Sequence, residues 1–245
     1  MKPHLSPRPL GVALLLALLV GCATWVAQSM EQRFGPRDPA RFDRAAVAAP
    51  GAPSYQLDIK PILDKRCAVC HGCYDAPCQL KLTRWDGIAR GLSKASVYGE
   101  LRLREAELTR LGVDALLASQ WRAKGFESVL NEHHSEGMAD LQASVLWRSL
   151  DLKRAHPLPD QSVLPAADFD FDLNRSNSCP SAPEFEAYAR NRPHAGMPYG
   201  LPGLSEAELT LIRRWLLAGA PGEGLRALLV GPRVPLVLGA MPEAP

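Results

Sequence analysis

Apolar residues return at helical spacing in three places along the chain. Tyr55, Ile59, Ile62 and Leu63 mark the first, and Pro61 is compatible with it only near the helix start, where a ring without an N–H costs nothing. That short helix delivers Cys67 at its end. In the second, Leu141, Val145, Leu146, Leu150 and Leu152 gather around Trp147 and predict one amphipathic helix over 139–155, stopped ahead of Pro157. In the third, Leu209, Ile212, Leu216 and Leu217 surround Trp215, behind a capping box at Ser205-Glu206-Ala207-Glu208 and ahead of Gly219. Shorter helical stretches are expected at Pro183 to Arg190 and in part of Ser93 to Leu117. The fold class is therefore mainly α.

The first fifty residues read differently. Lys2 and Arg8 precede an apolar run, Leu10 to Val20, that is short for a membrane span and suits the core of a secretory signal peptide over 1–21. Its end, Leu19-Val20-Gly21-Cys22, resembles the lipobox of bacterial lipoproteins, which makes Cys22 the expected lipidation site. The competing reading is an uncleaved anchor from Leu10 to Val26, tilted across a bilayer. Either way the remainder is exported and membrane-associated, stably so only with more than one acyl chain. Residues 22–54, rich in proline, alanine and charge, are expected to be a lipid-anchored flexible linker. With 28 basic and 26 acidic residues spread along 245, no basic stripe forms, and nucleic acid is not expected as a partner.

Chemistry concentrates in CAVCHGCYDAPC, residues 67–78, which holds four of the six cysteines. Cys67, Cys70 and His71 form the C-x-x-C-H of covalent heme c attachment. Two thiols a helical turn apart can add across the two heme vinyl groups, and the adjacent histidine reaches the iron from the same side. Zinc is the main competitor, since Cys67, Cys70, Cys73 and Cys78 nominally supply four ligands. A dithiol redox site is the third reading, but the thioredoxin-like βαβ context is missing. Export weighs against zinc, because an oxidising compartment turns thiols into disulfides or thioethers. Heme c is thus the expected cofactor, with His71 as proximal ligand.

Downstream, GMPYGLPGL followed by the capped helix with its tryptophan resembles the C-terminal half of small c-type cytochromes, where a methionine is the sixth iron ligand and the last helix packs on the first. Met197 is the matching candidate, with His194 and the pair His133 and His134 as other donors and an open site as a further alternative. The expected architecture is a cytochrome c-like heme domain over 55–223, with a long, mostly helical insertion between the C-x-x-C-H motif and the Met197 loop. That insertion is either a scaffold around the heme or the wall of an apolar substrate groove. His133 and His134 lie in the polar turn NEHHSEG and are expected to be solvated. Cys73, Cys78 and Cys179 are left over; a Cys73–Cys78 and a Cys78–Cys179 bridge are both open.

Taken together, RCAVCHGCYDAPCQLKL, TRLGVDA, WRAKGF, SVLNE, SVLWRSLDLKR, HPLP, DFDFDLNR and GMPYGLPGL resemble the N-terminal part of bacterial fatty acid cis/trans isomerase, a periplasmic heme c enzyme family of Gram-negative bacteria, over roughly Asp58 to Pro221. The resemblance implies cis-to-trans isomerisation of unsaturated acyl chains in membrane phospholipids as a response to membrane stress. It places heme on Cys67, Cys70 and His71, with His71 acting in catalysis through the iron, and makes a cytochrome c maturation system a partner. Family members are longer, and the tail from 224 to 245 is atypical and expected to be disordered, so the chain is expected to be truncated or to carry a shifted reading frame. The alternative function is a membrane-tethered c-type cytochrome for periplasmic electron transfer, favoured by a closed Met197 site, whereas a labile one favours substrate access.

Overall fold

The computed structural model describes residues 30–97, 108–158 and 174–222. Among these the elements are helices, joined by isolated bridges such as Arg37 with His133 and Leu92 with Glu127, and no strand is formed. The mainly α expectation holds. Cys22, the expected signal peptide over 1–21 and the tail over 224–245 lie outside the described residues.

Ser54 opens the helical stretch that leads to Cys67 by accepting the Leu57 amide hydrogen. A π-helical turn, Tyr55–Ile59, runs into α1, Lys60–Arg66, with Pro61 in its first turn, and α2, Ala68–His71, follows at once. The next two helices, α3 (Trp85–Arg90) and α4 (Ala118–Ala123), are short and carry no periodicity strong enough to announce them. The single helix expected over 139–155 is two: α5, Met138–Ala143, and α6, Val145–Ala155. Ser144 divides them in an extended conformation, accepting from the Trp147 amide and donating its hydroxyl to the Val129 carbonyl. Serine competes well for backbone partners, and here it caps one helix and ends the other. Two further short helices, α7 (Arg175–Ser178) and α8 (Phe185–Asn191), lead to α9, Glu206–Leu217, which has the expected reciprocal Ser205/Glu208 capping box. In the stretch expected to be partly helical, residues 93–97 and 108–117 form bends and turns, and 98–107 lie outside the described residues.

The centre is built from both ends of this order. Trp215 on α9 packs its ring 6.0 Å from that of Tyr55, among Ile59, Leu63 and Ile212. Both indoles in this region are satisfied by the turn after α9: Trp215 donates to the Pro221 carbonyl at 2.7 Å and Trp85 to that of Ala220 at 2.9 Å. A smaller cluster joins Trp121 edge-on to Phe126, with ring centroids 5.0 Å apart.

Part of the segment expected to be linker is instead packed. Phe34 and Phe42 are buried, and Asp43 accepts from the Ser119 amide and hydroxyl. Arg37 reaches Glu132 at 2.8 Å and Glu127 at 3.0 Å, while Glu132, itself buried, also takes Arg122 at 2.6 Å. Burying two aromatic rings and satisfying one interior carboxylate outweighs the entropy that an alanine- and proline-rich composition would otherwise keep.

The open cysteine pairing resolves as Cys78–Cys179, with Cα atoms 5.6 Å apart across a sequence separation of 101. It ties the turn after α2 to the end of α7.

Candidate functional site

Cys67 closes α1, its amide donating to the Leu63 carbonyl at 2.9 Å, and Cys70 lies one turn further on in α2. Cys67 is half-buried and Cys70 exposed, and neither is in a disulfide. Burial, reinforced by the neighbouring Cys70, pushes the Cys67 thiol up to about 12, so it is protonated at neutral pH. His71 is 8% exposed. Its Nδ1 lies 3.1 Å from the Leu80 carbonyl oxygen. A carbonyl can only accept, so Nδ1 carries the hydrogen and Nε2 keeps its lone pair. Burial also holds the imidazole below its ordinary pKa, favouring this neutral form. A ring oriented by Nδ1–H on a backbone carbonyl, with Nε2 uncommitted, is the arrangement of a metal-binding histidine.

This donor set suits heme c better than zinc. The bridge to Cys179 removes Cys78 from any four-thiol site, and among the described residues no group of three or more His, Cys, Asp and Glu side chains is placed to hold a metal ion. Two thiols and one histidine are what covalent heme requires.

The start of α9 stands beside this motif. Arg66, the residue before Cys67, makes two hydrogen bonds to the Glu208 carboxylate, at 3.1 and 3.0 Å. That fork holds the Glu208 carboxyl down to about 2. The loop entering α9 contains Met197, which is half-buried and donates its amide to the Ser149 carbonyl of α6 at 2.9 Å. Gly196 has no alternative residue: a Cβ there would lie 2.3 Å from the Lys153 backbone nitrogen.

The other histidines separate. His133 is buried, contrary to the expected solvation, with Nδ1 2.7 Å from the Gly35 carbonyl and its ring 6.0 Å from Phe34, because the 33–43 segment covers it. His134 is exposed. His194 stacks edge-on to His156 at 6.1 Å, and its Nδ1 is buried without a hydrogen bond.

Lys153 is a further residue of this region, only 2% exposed, with Nζ buried and unpartnered. The signal was in the sequence, since Lys153 continues the stripe of Leu146 and Leu150 at helical spacing. Burial lowers its pKa, so the charged form is disfavoured in the folded state. That penalty is complete below the folded-state pKa and fades as pH climbs toward the ordinary value of about 10.4. Lys153→Met is therefore expected to raise stability by about 1–3 kcal/mol near neutral pH, with the gain narrowing by about pH 10. Thermal unfolding of both proteins across that range measures it; a gain that widens with pH would contradict it.

A cavity of about 740 Å³ opens on another flank, between the 42–56 segment, α3 and α4. Trp85, Ala89, Ala118 and Trp121 form much of its apolar wall. Arg90, buried at its inner end, donates to the Thr109 carbonyl at 2.8 Å and to the Gln79 carbonyl, and its guanidinium lies over the Phe126 and Trp121 rings at 5.1 and 5.5 Å. Gln79 immediately precedes Leu80, whose carbonyl holds His71. The cavity thus backs onto the motif without being lined by Cys67, Cys70, His71 or Met197. The sequence left an apolar groove walled by the insertion as one of two expectations but did not mark this place, because the walls come from segments distant in the chain.

Among protein families, the description "fatty acid cis/trans isomerase (CTI)" matches residues 106–229, half of the chain, beginning downstream of the C-x-x-C-H motif. No curated protein and no solved structure matches.

Proposed function

The chain belongs to the fatty acid cis/trans isomerase family, and from that premise we propose that it isomerises cis double bonds of membrane phospholipid acyl chains by means of a heme c held by Cys67, Cys70 and His71. The observation that carries the cofactor part is the His71 geometry: a buried neutral imidazole, Nδ1–H given to the Leu80 carbonyl and Nε2 left free, directly beside two unpaired thiols.

Rotation about a C=C bond requires only that its π component be weakened for a moment, and no external reductant or nucleotide is needed. Bound heme would supply an electron-withdrawing iron for that purpose. The chain's own residues do the rest. Cys67 and Cys70 would fix the macrocycle, and the Leu80 carbonyl sets the His71 ring so that Nε2 is the proximal donor. Met197, in the loop whose end Glu208 and Arg66 hold beside the motif, would be a further donor to the iron. In this reading the domain is cytochrome c-like, which the packing of α9 on the Tyr55 turn that opens α1 supports. The chain is exported to the periplasm of a Gram-negative bacterium, matured there by a cytochrome c assembly system, and tethered through Cys22. The Cys78–Cys179 bridge supports an oxidising compartment.

The test is the trans-to-cis ratio of monounsaturated phospholipid fatty acids, by gas chromatography, in isomerase-deficient cells making this chain with and without His71→Ala. Trans acids are expected only with His71 intact. Trans acids in both strains would overturn the role of His71, and a heme-loaded chain that forms none would favour the electron-transfer alternative.

A further inference from the structure

The cavity between the 42–56 segment, α3 and α4 has no part in the cofactor attachment described above, and its form answers to a ligand. At about 740 Å³ it lies within the roughly 300–1,000 Å³ of sites that enclose a small molecule. Its mouth is turned outward and carries exposed apolar side chains beside polar ones. Val47 is 93% exposed and Leu116 55%, both lining the entrance, and Val113, beside the lining Gly112, is exposed as well. Large apolar side chains held in solvent around an opening mark a surface that meets something other than water. Arg44, at the same mouth, is exposed and makes no hydrogen bond or ion pair among the described residues.

We propose that this cavity takes one acyl chain of a membrane phospholipid, with Val47 and Leu116 dipping into the bilayer and Arg44 meeting the lipid phosphate. The proposal rests on the family reading, which makes lipid acyl chains the substrate, and adds where the chain is received. Each part has a chemical reason. The apolar wall removes methylenes from water, the exposed rim buries itself in the acyl region of the membrane, and the guanidinium pairs with the phosphate at the boundary. The inner end, at Arg90 and Gln79, brings the received chain to the layer of residues behind His71.

The experiment uses the full, heme-loaded chain on vesicles of a phosphatidylcholine whose acyl chain carries a photoreactive diazirine at its middle, followed by mass spectrometry of the labelled peptides. Label is expected on peptides containing 42–48, 85–90 and 111–121. It should fall at least about fivefold in Val47→Asp/Leu116→Asp, which changes only exposed rim positions and leaves the helical circular dichroism intact. Ala118→Phe, which fills the cavity, should lose the label while the chain still sediments with the vesicles. Label confined to other peptides, no label at all, or label unchanged in the rim variant would overturn the proposal. The trans-to-cis ratio read from parallel, unreactive vesicles separates the two readings: trans acids formed with label elsewhere remove the cavity and leave the isomerase.

Discussion

A chain carrying Cys67→Ala together with Cys70→Ala is expected to show no heme stain after denaturing electrophoresis, where the unaltered chain keeps its stained band, and to form no trans fatty acids. The reasoning begins with which thiols are free. Cys78 is engaged with Cys179, so the unpaired thiols of the motif are Cys67, Cys70 and Cys73. Cys70 and Cys73 also bracket two residues, but Tyr74 follows them, and only Cys67 and Cys70 are followed directly by a histidine. That histidine has its ring already set by the Leu80 carbonyl. The effect is all or none because thioether bonds survive denaturation and ligand bonds do not. Three companions sharpen the outcome: Cys73→Ala keeps the stained band; His71→Ala keeps it too, but with the optical spectrum of an altered ligand set; and a stained band surviving in the double variant would remove covalent heme from the account.

The second large effect belongs to the disulfide. Cys78→Ala/Cys179→Ala is expected to lower the unfolding free energy by about 2–5 kcal/mol, toward the upper end because the bridge closes a loop of about a hundred residues. The bridge joins the turn that supplies Leu80 to the end of α7, so its loss loosens the His71 acceptor as well as the fold. Denaturant unfolding of the variant against the oxidised parent measures the first part, and a weakened proximal-ligand signature in the heme spectrum the second. A stability change below about 1 kcal/mol would mean that the packing of α7 and α8 already fixes this geometry without the bond.

The parts of the fold that were legible in advance are those with local signals. The helix ending at Cys67 and the capped helix before Gly219 are set by residues within a turn of their ends: Pro61 at one start, Ser205 and Glu208 at the other. The division at Ser144 was not legible, since the apolar period runs through it unbroken and only the Val129 carbonyl, brought in from another segment, makes the break favourable. Nor was the packing of residues 33–43, where Phe34 and Arg37 act through partners about a hundred residues away. The site divides in the same way. Cys67, Cys70 and His71 are contiguous and carry their chemistry in their spacing, whereas the choice of Cys179 as partner for Cys78, the cover over His133 and the cavity beside Arg90 exist only once distant segments meet.

The pairing of Arg66 with Glu208 spans 142 positions of sequence. A chain made from its N-terminus at roughly 5–20 residues per second therefore brings out the cysteines on the order of ten seconds before the helix that will settle against them exists. On the proposed reading, an assembly enzyme outside the cytoplasm would meet the thiols on a chain whose C-terminal part has not yet settled beside them. In that reading an N-terminal-first order would leave Cys67 and Cys70 open to attachment before Glu208 pairs with Arg66.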